Sequence, residues 1–167
     1  MPSHSWLARR SLCPFHFDSL FSYVGLTLRP KPWPCALTAA RQRVDEVAAA
    51  HGTRVTACLA NHFGEGCSSI PWHSDEVRAH GDAKLVLALS LGGQRRMLLR
   101  QKSSAAAPTT PISVGLPPGS AVVMAGVAQD YWEHALPLDR GAAPRRVSLT
   151  FRTIVPGYEE GRDPPSV

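Results

Sequence analysis

The sequence predicts a mainly β domain, a double-stranded β-helix (jelly roll) with one flanking helix. Three observations point there. Short strand-like segments separated by Gly- and Pro-containing turns recur along most of the 167 residues. A single stretch near the N-terminus carries apolar residues at helical spacing. The closing segment Arg146-Val147-Ser148-Leu149-Thr150-Phe151-Arg152 alternates polar and apolar side chains, the period of a strand. No internal repeat is visible.

Taken in order, Phe21 to Leu28 reads as a strand ended by Pro30 and Pro32. Pro34 sits where a helix can begin, Leu37, Ala40, Val44 and Val47 recur at helical spacing, and His51-Gly52 supplies a stop. The opposite face, with Arg41, Asp45 and Glu46, is expected to be solvated, so the helix should pack on the outside of a sheet. Arg54 to Ala60 alternates Val55, Ala57 and Leu59 with other residues, a strand leading into Asn61. Gly64 and Gly66 open a loop that delivers Ile70-Pro71-Trp72-His73-Ser74-Asp75. Leu85 to Leu91 is a continuous apolar run, the pattern of a strand buried on both sides. Gln94 to Arg100 follows Gly92-Gly93, and the pair reads as a hairpin. Ser103 to Pro111 reads as a mobile surface loop. Leu116-Pro117-Pro118-Gly119 turns into Ser120 to Met124, expected as a further buried strand. Arg140 to Pro144 is a polar connection before the last strand. The predicted domain is 21–156, after a basic N-terminal tail over 1–20 and before a flexible tail over 157–167.

One domain of this length can bury a core. The net charge of +5, with 19% charged residues, suits a polyanionic partner. Cys13, Cys35, Cys58 and Cys67 form no CxxC pair and read as reduced packing thiols of an intracellular protein, nuclear or cytoplasmic. Arg9 and Arg10, with no acidic residue before Asp18, keep an organelle-targeting segment open. No apolar run is long enough to span a membrane, and a monomer is expected.

The chemistry concentrates in three places. In an extended segment His73 and Asp75 present an imidazole and a carboxylate to one side. A second imidazole from His134, in Trp132-Glu133-His134, would complete a facial set with open positions. Two histidines and one carboxylate is the ligand set of a non-heme Fe(II) oxygenase. His80 is the chief rival to His134, but lacks the Trp-x-His context. On the closing strand Arg146, Ser148, Thr150 and Arg152 share one face, and a barrel interior holding a dianionic acid would explain two arginines there.

At these residues the chain resembles the AlkB-type Fe(II)/2-oxoglutarate dioxygenases, in their eukaryotic DNA/RNA repair branch. The resemblance runs from about Phe21 to Pro156. It is carried by Gly25-Leu26-Thr27-Leu28 before Pro30-Lys31-Pro32-Trp33, Asn61 ahead of Trp72-His73-Ser74-Asp75, Leu89-Ser90-Leu91-Gly92, Gln129-x-x-Trp132-x-His134 and the closing strand.

The resemblance implies a jelly roll and, as cofactors, Fe(II) on His73, Asp75 and His134 together with 2-oxoglutarate. It implies oxidative demethylation: dioxygen is consumed, succinate and CO2 are released, and a hydroxylated N-methyl group falls away as formaldehyde. Arg146 matches the arginine for the cosubstrate's C5 carboxylate. Arg152, six residues on and roughly 20 Å along the strand, would reach the iron-side end or brace Asp75. Asn61 matches an amide ligand to 2-oxoglutarate. Two places along, where the family has a tyrosine, this chain has Phe63. For the substrate, Tyr23 or Phe21 and His73 match the positions that sandwich a flipped base. The family's acidic contact two places after the metal aspartate is Val77 here, with Glu76 next door. Arg78, Arg95, Arg96, Arg100, Lys102 and Arg140 are candidate phosphate contacts. The leading expectation is therefore a dealkylase of DNA or RNA bases. Two alternatives stay open: an oxygenase of a protein or small molecule, and a catalytically weak nucleic-acid-binding relative.

Overall fold

The computed structural model describes residues 11–17, 21–23 and 26–28 as backbone, and residues 31–64, 68–75, 81–102, 110–139 and 144–155 with their side chains. In chain order come β1 (Ser11–Phe17), β2 (Phe21–Tyr23), β3 (Leu26–Leu28), α1 (Cys35–Ala50), β4 (Ala57–Phe63) and β5 (Ile70–His73). These are followed by β6 (Val86–Gly92), β7 (Arg95–Gln101), β8 (Ile112–Leu116), β9 (Ala121–Met124), the short α2 (Ala128–Tyr131), β10 (Trp132–Leu136) and β11 (Arg146–Arg152). Two antiparallel sheets hold most of them, in the orders β1-β4-β11-β6-β9 and β5-β10-β7-β8, and β2-β3 form a separate pair. This is the predicted double-stranded β-helix.

Alternation along β11 organises the interior. Val147, Leu149 and Phe151 face α1, where Leu149 and Phe151 join Val44, Ala48, Cys58 and Leu87 in the main core. Arg146, Ser148, Thr150 and Arg152 face the other way, into a pocket between the sheets. A second apolar cluster of Phe63, Met97, Leu116 and Leu136 closes that interior. Helix α1 starts and stops where the sequence places it and packs through Val44 and Ala48. Its other face is less solvated than expected. The Arg41 guanidinium lies 4.2 Å from the Trp33 ring, which stacks in turn on Phe151. Asp45 accepts a hydrogen bond from the Val55 backbone N–H.

Several expectations need correction. The tail expected over 1–20 contains β1, which pairs with β4 from Ser11 opposite His62 to Phe17 opposite Ala57 and so covers what would otherwise be an open sheet edge. Phe21 to Leu28 is a hairpin rather than one strand, with Phe21 opposite Leu28 and Tyr23 opposite Leu26. The strand expected at Arg54 to Ala60 runs three residues later, because Val55 and Thr56 bond to Asp45 and to the end of β11 instead. Strand β9 is a sheet edge, with Val123 exposed, rather than buried on both sides. The connection at Gly92-Gly93 is not a hairpin: β6 pairs with β11 and β9, whereas β7 pairs with β10 and β8. The glycines carry the chain from one sheet to the other against the backbone before β11. A Cβ at Gly93 would lie 2.4 Å from the Pro144 carbonyl oxygen, and Gly92 has φ +82°. Expectations for the ends of both tails, for His80, and for most of the Ser103–Pro111 loop and the 140–144 connection lie outside the described residues.

Candidate metal and cosubstrate site

Pairing between β5 and β10 sets His73 directly opposite His134. Their ring centroids are 4.2 Å apart and tilted by 51°. Asp75, two residues beyond His73, completes the group: one ligand atom from each of His73, Asp75 and His134 lies within 4.8 Å of the others. The rival His80 is outside the described residues. His73 Nδ1 donates to the Pro71 carbonyl at 2.9 Å, which leaves Nε2 with its lone pair free to bind a cation. Burial first, and then His73, push the His134 imidazole down to about 4, so it is neutral at physiological pH, the form that binds metal.

Asp75 is held from two sides. Arg152 Nη2 donates to its Oδ1 at 3.0 Å, so of the two roles left open for Arg152 the structure shows the brace on Asp75. The backbone N–H of Asp75 donates to Gln129 Oε1 at 2.9 Å. Gln129 belongs to the recognised sequence pattern, but nothing in the sequence says what it touches.

Arg146 occupies the far end of the β11 row. It is 2% exposed, and Nη2 donates to Ser90 Oγ at 2.8 Å and Ser148 Oγ at 3.3 Å. Nε and Nη1 are buried without a partner. Burial, then the neighbouring Arg95, pull its guanidinium down to about 10, which still leaves a cation at neutral pH. Asn61 sits across from Ser148; its Nδ2 reaches Thr150 Oγ1 at 3.5 Å and its Oδ1 is buried without a partner. Phe63 is paired opposite Arg146, with the guanidinium carbon 5.1 Å from its ring centroid.

Both groups fit this donor set. Two imidazoles and a carboxylate with open positions suit Fe(II). Unpaired guanidinium N–H donors in a buried site suit an anion, because leaving them unpaired is costly. Ser90 is a further member of the site. Its signal was a lone hydroxyl in an otherwise apolar strand, which must find a partner when buried.

The proposed substrate and phosphate contacts are only partly placed. Phe21 and Tyr23 are the first and last residues of β2, described as backbone, while Glu76 and Val77 are outside the described residues. Arg95 is not a surface contact. It is 3% exposed and donates to the carbonyls of Ser68 and Pro137, because it points inward from β7. Arg100 is bound to Glu133 and stacks 4.2 Å from the Trp72 ring, and Lys102 donates to the Gln129 carbonyl. Arg96 is exposed.

A jelly roll with a His-x-Asp…His set at one end of its pocket and a buried arginine in the other part defines a non-heme iron oxygenase class. Comparison with known proteins narrows it. The family model for the 2OG-Fe(II) oxygenase superfamily matches residues 21–152, and the chain belongs to that superfamily, in its AlkB type. DNA oxidative demethylase ALKBH2 of Mus musculus is 34% identical over 140 residues, covering 81% of this chain and 57% of the relative. Alpha-ketoglutarate-dependent dioxygenase alkB homolog 3 of Homo sapiens is 28% identical over 142 residues, covering 81% and 49%. The chain thus spans about half the length of the curated relatives it matches. A solved structure, that of OsALKBH1, superposes with a TM-score of 0.51 at 17% identity, over 76% of this chain and 66% of that one, and supports the fold.

Proposed function

We propose that this chain oxidatively dealkylates bases in DNA or RNA, with Fe(II) and 2-oxoglutarate. The observation that carries the proposal is the His73–Asp75–His134 group in one pocket with the unsatisfied Arg146 guanidinium. The names of the relatives, a DNA oxidative demethylase and an alpha-ketoglutarate-dependent dioxygenase, support the substrate class.

When bound, Fe(II) and 2-oxoglutarate would activate dioxygen, the oxidant: one oxygen atom would end in the succinate formed with CO2 from 2-oxoglutarate, and the other would hydroxylate an alkyl C–H bond. The chain's own residues hold and orient. His73 and His134 offer imidazole nitrogen donors, and Asp75 offers a carboxylate that Arg152 fixes in direction. Arg146 receives the remote carboxylate of the cosubstrate through Nε and Nη1, its third nitrogen being committed to Ser90 and Ser148. Asn61 lies beside the same row, and its amide N–H donates to the cosubstrate. Apolar Val86, Ala88, Val122 and Met97 line the pocket and keep water from the reacting groups. Tyr23 or Phe21 stacks on the flipped base opposite His73, and Glu76 is the nearest acidic group in sequence for a contact to it.

The test is succinate and formaldehyde release from purified protein given N-methylated oligonucleotides, Fe(II) and 2-oxoglutarate, with His73→Ala as control. Stoichiometric release that disappears in the variant and weakens with salt is expected. Succinate without oligonucleotide demethylation would move the substrate to a protein or small molecule. Oligonucleotide binding with no succinate would mark a non-catalytic relative.

A further inference from the structure

Helix α2 is only four residues long, yet three separated parts of the chain converge on it. Gln129, 1% exposed, accepts the Asp75 backbone N–H at 2.9 Å and turns its amide nitrogen to Met124 Sδ at 3.5 Å. The next residue, Asp130, binds Lys84 Nζ at 2.6 Å. Lys102 Nζ, just past β7, donates to the Gln129 carbonyl at 2.7 Å. Asp75 and Lys84 flank the connection between β5 and β6, so consecutive residues of α2 grip both sides of it. Lys84 has φ +45°, a conformation an L-residue holds only where its surroundings enforce it. A bond from Lys84 N to the Gly81 carbonyl and the ion pair with Asp130 provide that enforcement.

We propose that Gln129 is a positioning residue for the metal site: by accepting the Asp75 N–H it fixes the backbone from which the carboxylate ligand projects, with Lys102 and the Lys84–Asp130 pair holding α2 in register. The inference rests on the iron-site reading above. A carboxylate is aimed by its backbone as well as by its side-chain partner, and partners one step removed from a metal typically contribute about 10- to 100-fold in affinity. Arg152 holds one carboxylate oxygen and Gln129 holds the main chain, so the two act on different degrees of freedom.

The experiment is calorimetric Mn(II) titration of the purified chain, paired with thermal melts. Gln129→Met keeps the volume and removes the acceptor, and is expected to weaken Mn(II) binding by about 10- to 100-fold. Gln129→Glu restores an acceptor but buries a charge, so it should bind Mn(II) more tightly than Gln129→Met while melting lower. Should Gln129→Met fail to fold, exposed Lys102→Met is read instead, with a smaller loss in the same direction. Wild-type Mn(II) affinity in these variants, or affinities that simply follow the melting temperatures, would overturn the inference and leave the metal site standing. A wild-type chain that binds no Mn(II) would overturn the iron-site reading, and the inference with it.

Discussion

Arg152 donates to Asp75 at 3.0 Å, and the two side chains are 8% and 7% exposed. The pair joins the end of β11 to Asp75, two residues past β5, so the larger sheet directly braces a proposed metal ligand carried next to the smaller one. Breaking a buried pair by removing one partner leaves an uncompensated charge, at about 3–5 kcal/mol. Arg152→Gln should therefore lower stability to urea by about that much, and Mn(II) should restore more stability to the variant than to the wild type, because a cation can neutralise Asp75. A loss below about 1 kcal/mol, the range of exposed pairs, would contradict the buried pairing.

At the other end of β11, Arg146→Met should raise the 2-oxoglutarate dissociation constant while leaving Mn(II) affinity within a few-fold of wild type, since Arg146 is absent from the His73–Asp75–His134 group. A hydrogen bond to a charged group contributes about 1.5–3 kcal/mol, so losing the two unpartnered donors predicts a weakening of at least about 10- to 100-fold. Unchanged cosubstrate affinity would remove Arg146 from the site.

Phe63 places a ring, and no hydroxyl, beside Arg146. Phe63→Tyr should tighten 2-oxoglutarate by about 10- to 100-fold, the value of one charged hydrogen bond. Affinity that is unchanged or worse would show that the para position of this ring does not face the cosubstrate.

Much of this site was legible because it depends on local alternation. Arg146 to Arg152 reads as a two-faced strand whatever lies around it, and His73-x-Asp75 reads as two ligands on one side. What was missed depends on partners distant in sequence. Gly92-Gly93 looks like a hairpin turn because a glycine pair between two strand-like runs usually is one; only the approach of Pro144 and Arg145 shows that it is a crossing between sheets. Arg95-Arg96-Met97-Leu98-Leu99-Arg100 has no clean alternation, so nothing distinguished the inward Arg95 from the outward Arg96. Strand β1 was hidden because a pairing with β4, not its own composition, makes it a strand.

The glycine crossing gives a stability test. Gly93→Ala would set a Cβ 2.4 Å from the Pro144 carbonyl oxygen and 2.7 Å from its ring, a backbone clash of the overpacking kind that costs about 1–3 kcal/mol or more. Gly119→Ala, at φ +80° but with open space around it, should cost less. Equal effects on urea midpoints would contradict the crossing geometry.

Alkaline pH tests the packing between α1 and the larger sheet. Burial pushes the Cys58 thiol up from 9.0 to about 12. Between those values the unfolded chain loses a proton that the folded chain keeps, so Cys58 contributes stability that is full below about pH 9 and is lost as pH rises toward 12. Relative to wild type, Cys58→Ala should lose less stability between pH 8 and pH 10.5, measured by urea midpoints. Parallel pH profiles would show that the thiol is not buried as the structure has it.

The most direct test of the iron and 2-oxoglutarate site is anaerobic addition of Fe(II) and 2-oxoglutarate to the purified chain, followed by visible spectroscopy with His73→Ala as control. A weak charge-transfer band in the wild type that vanishes in the variant is the expected result. No band at saturating cosubstrate and metal would contradict the site itself.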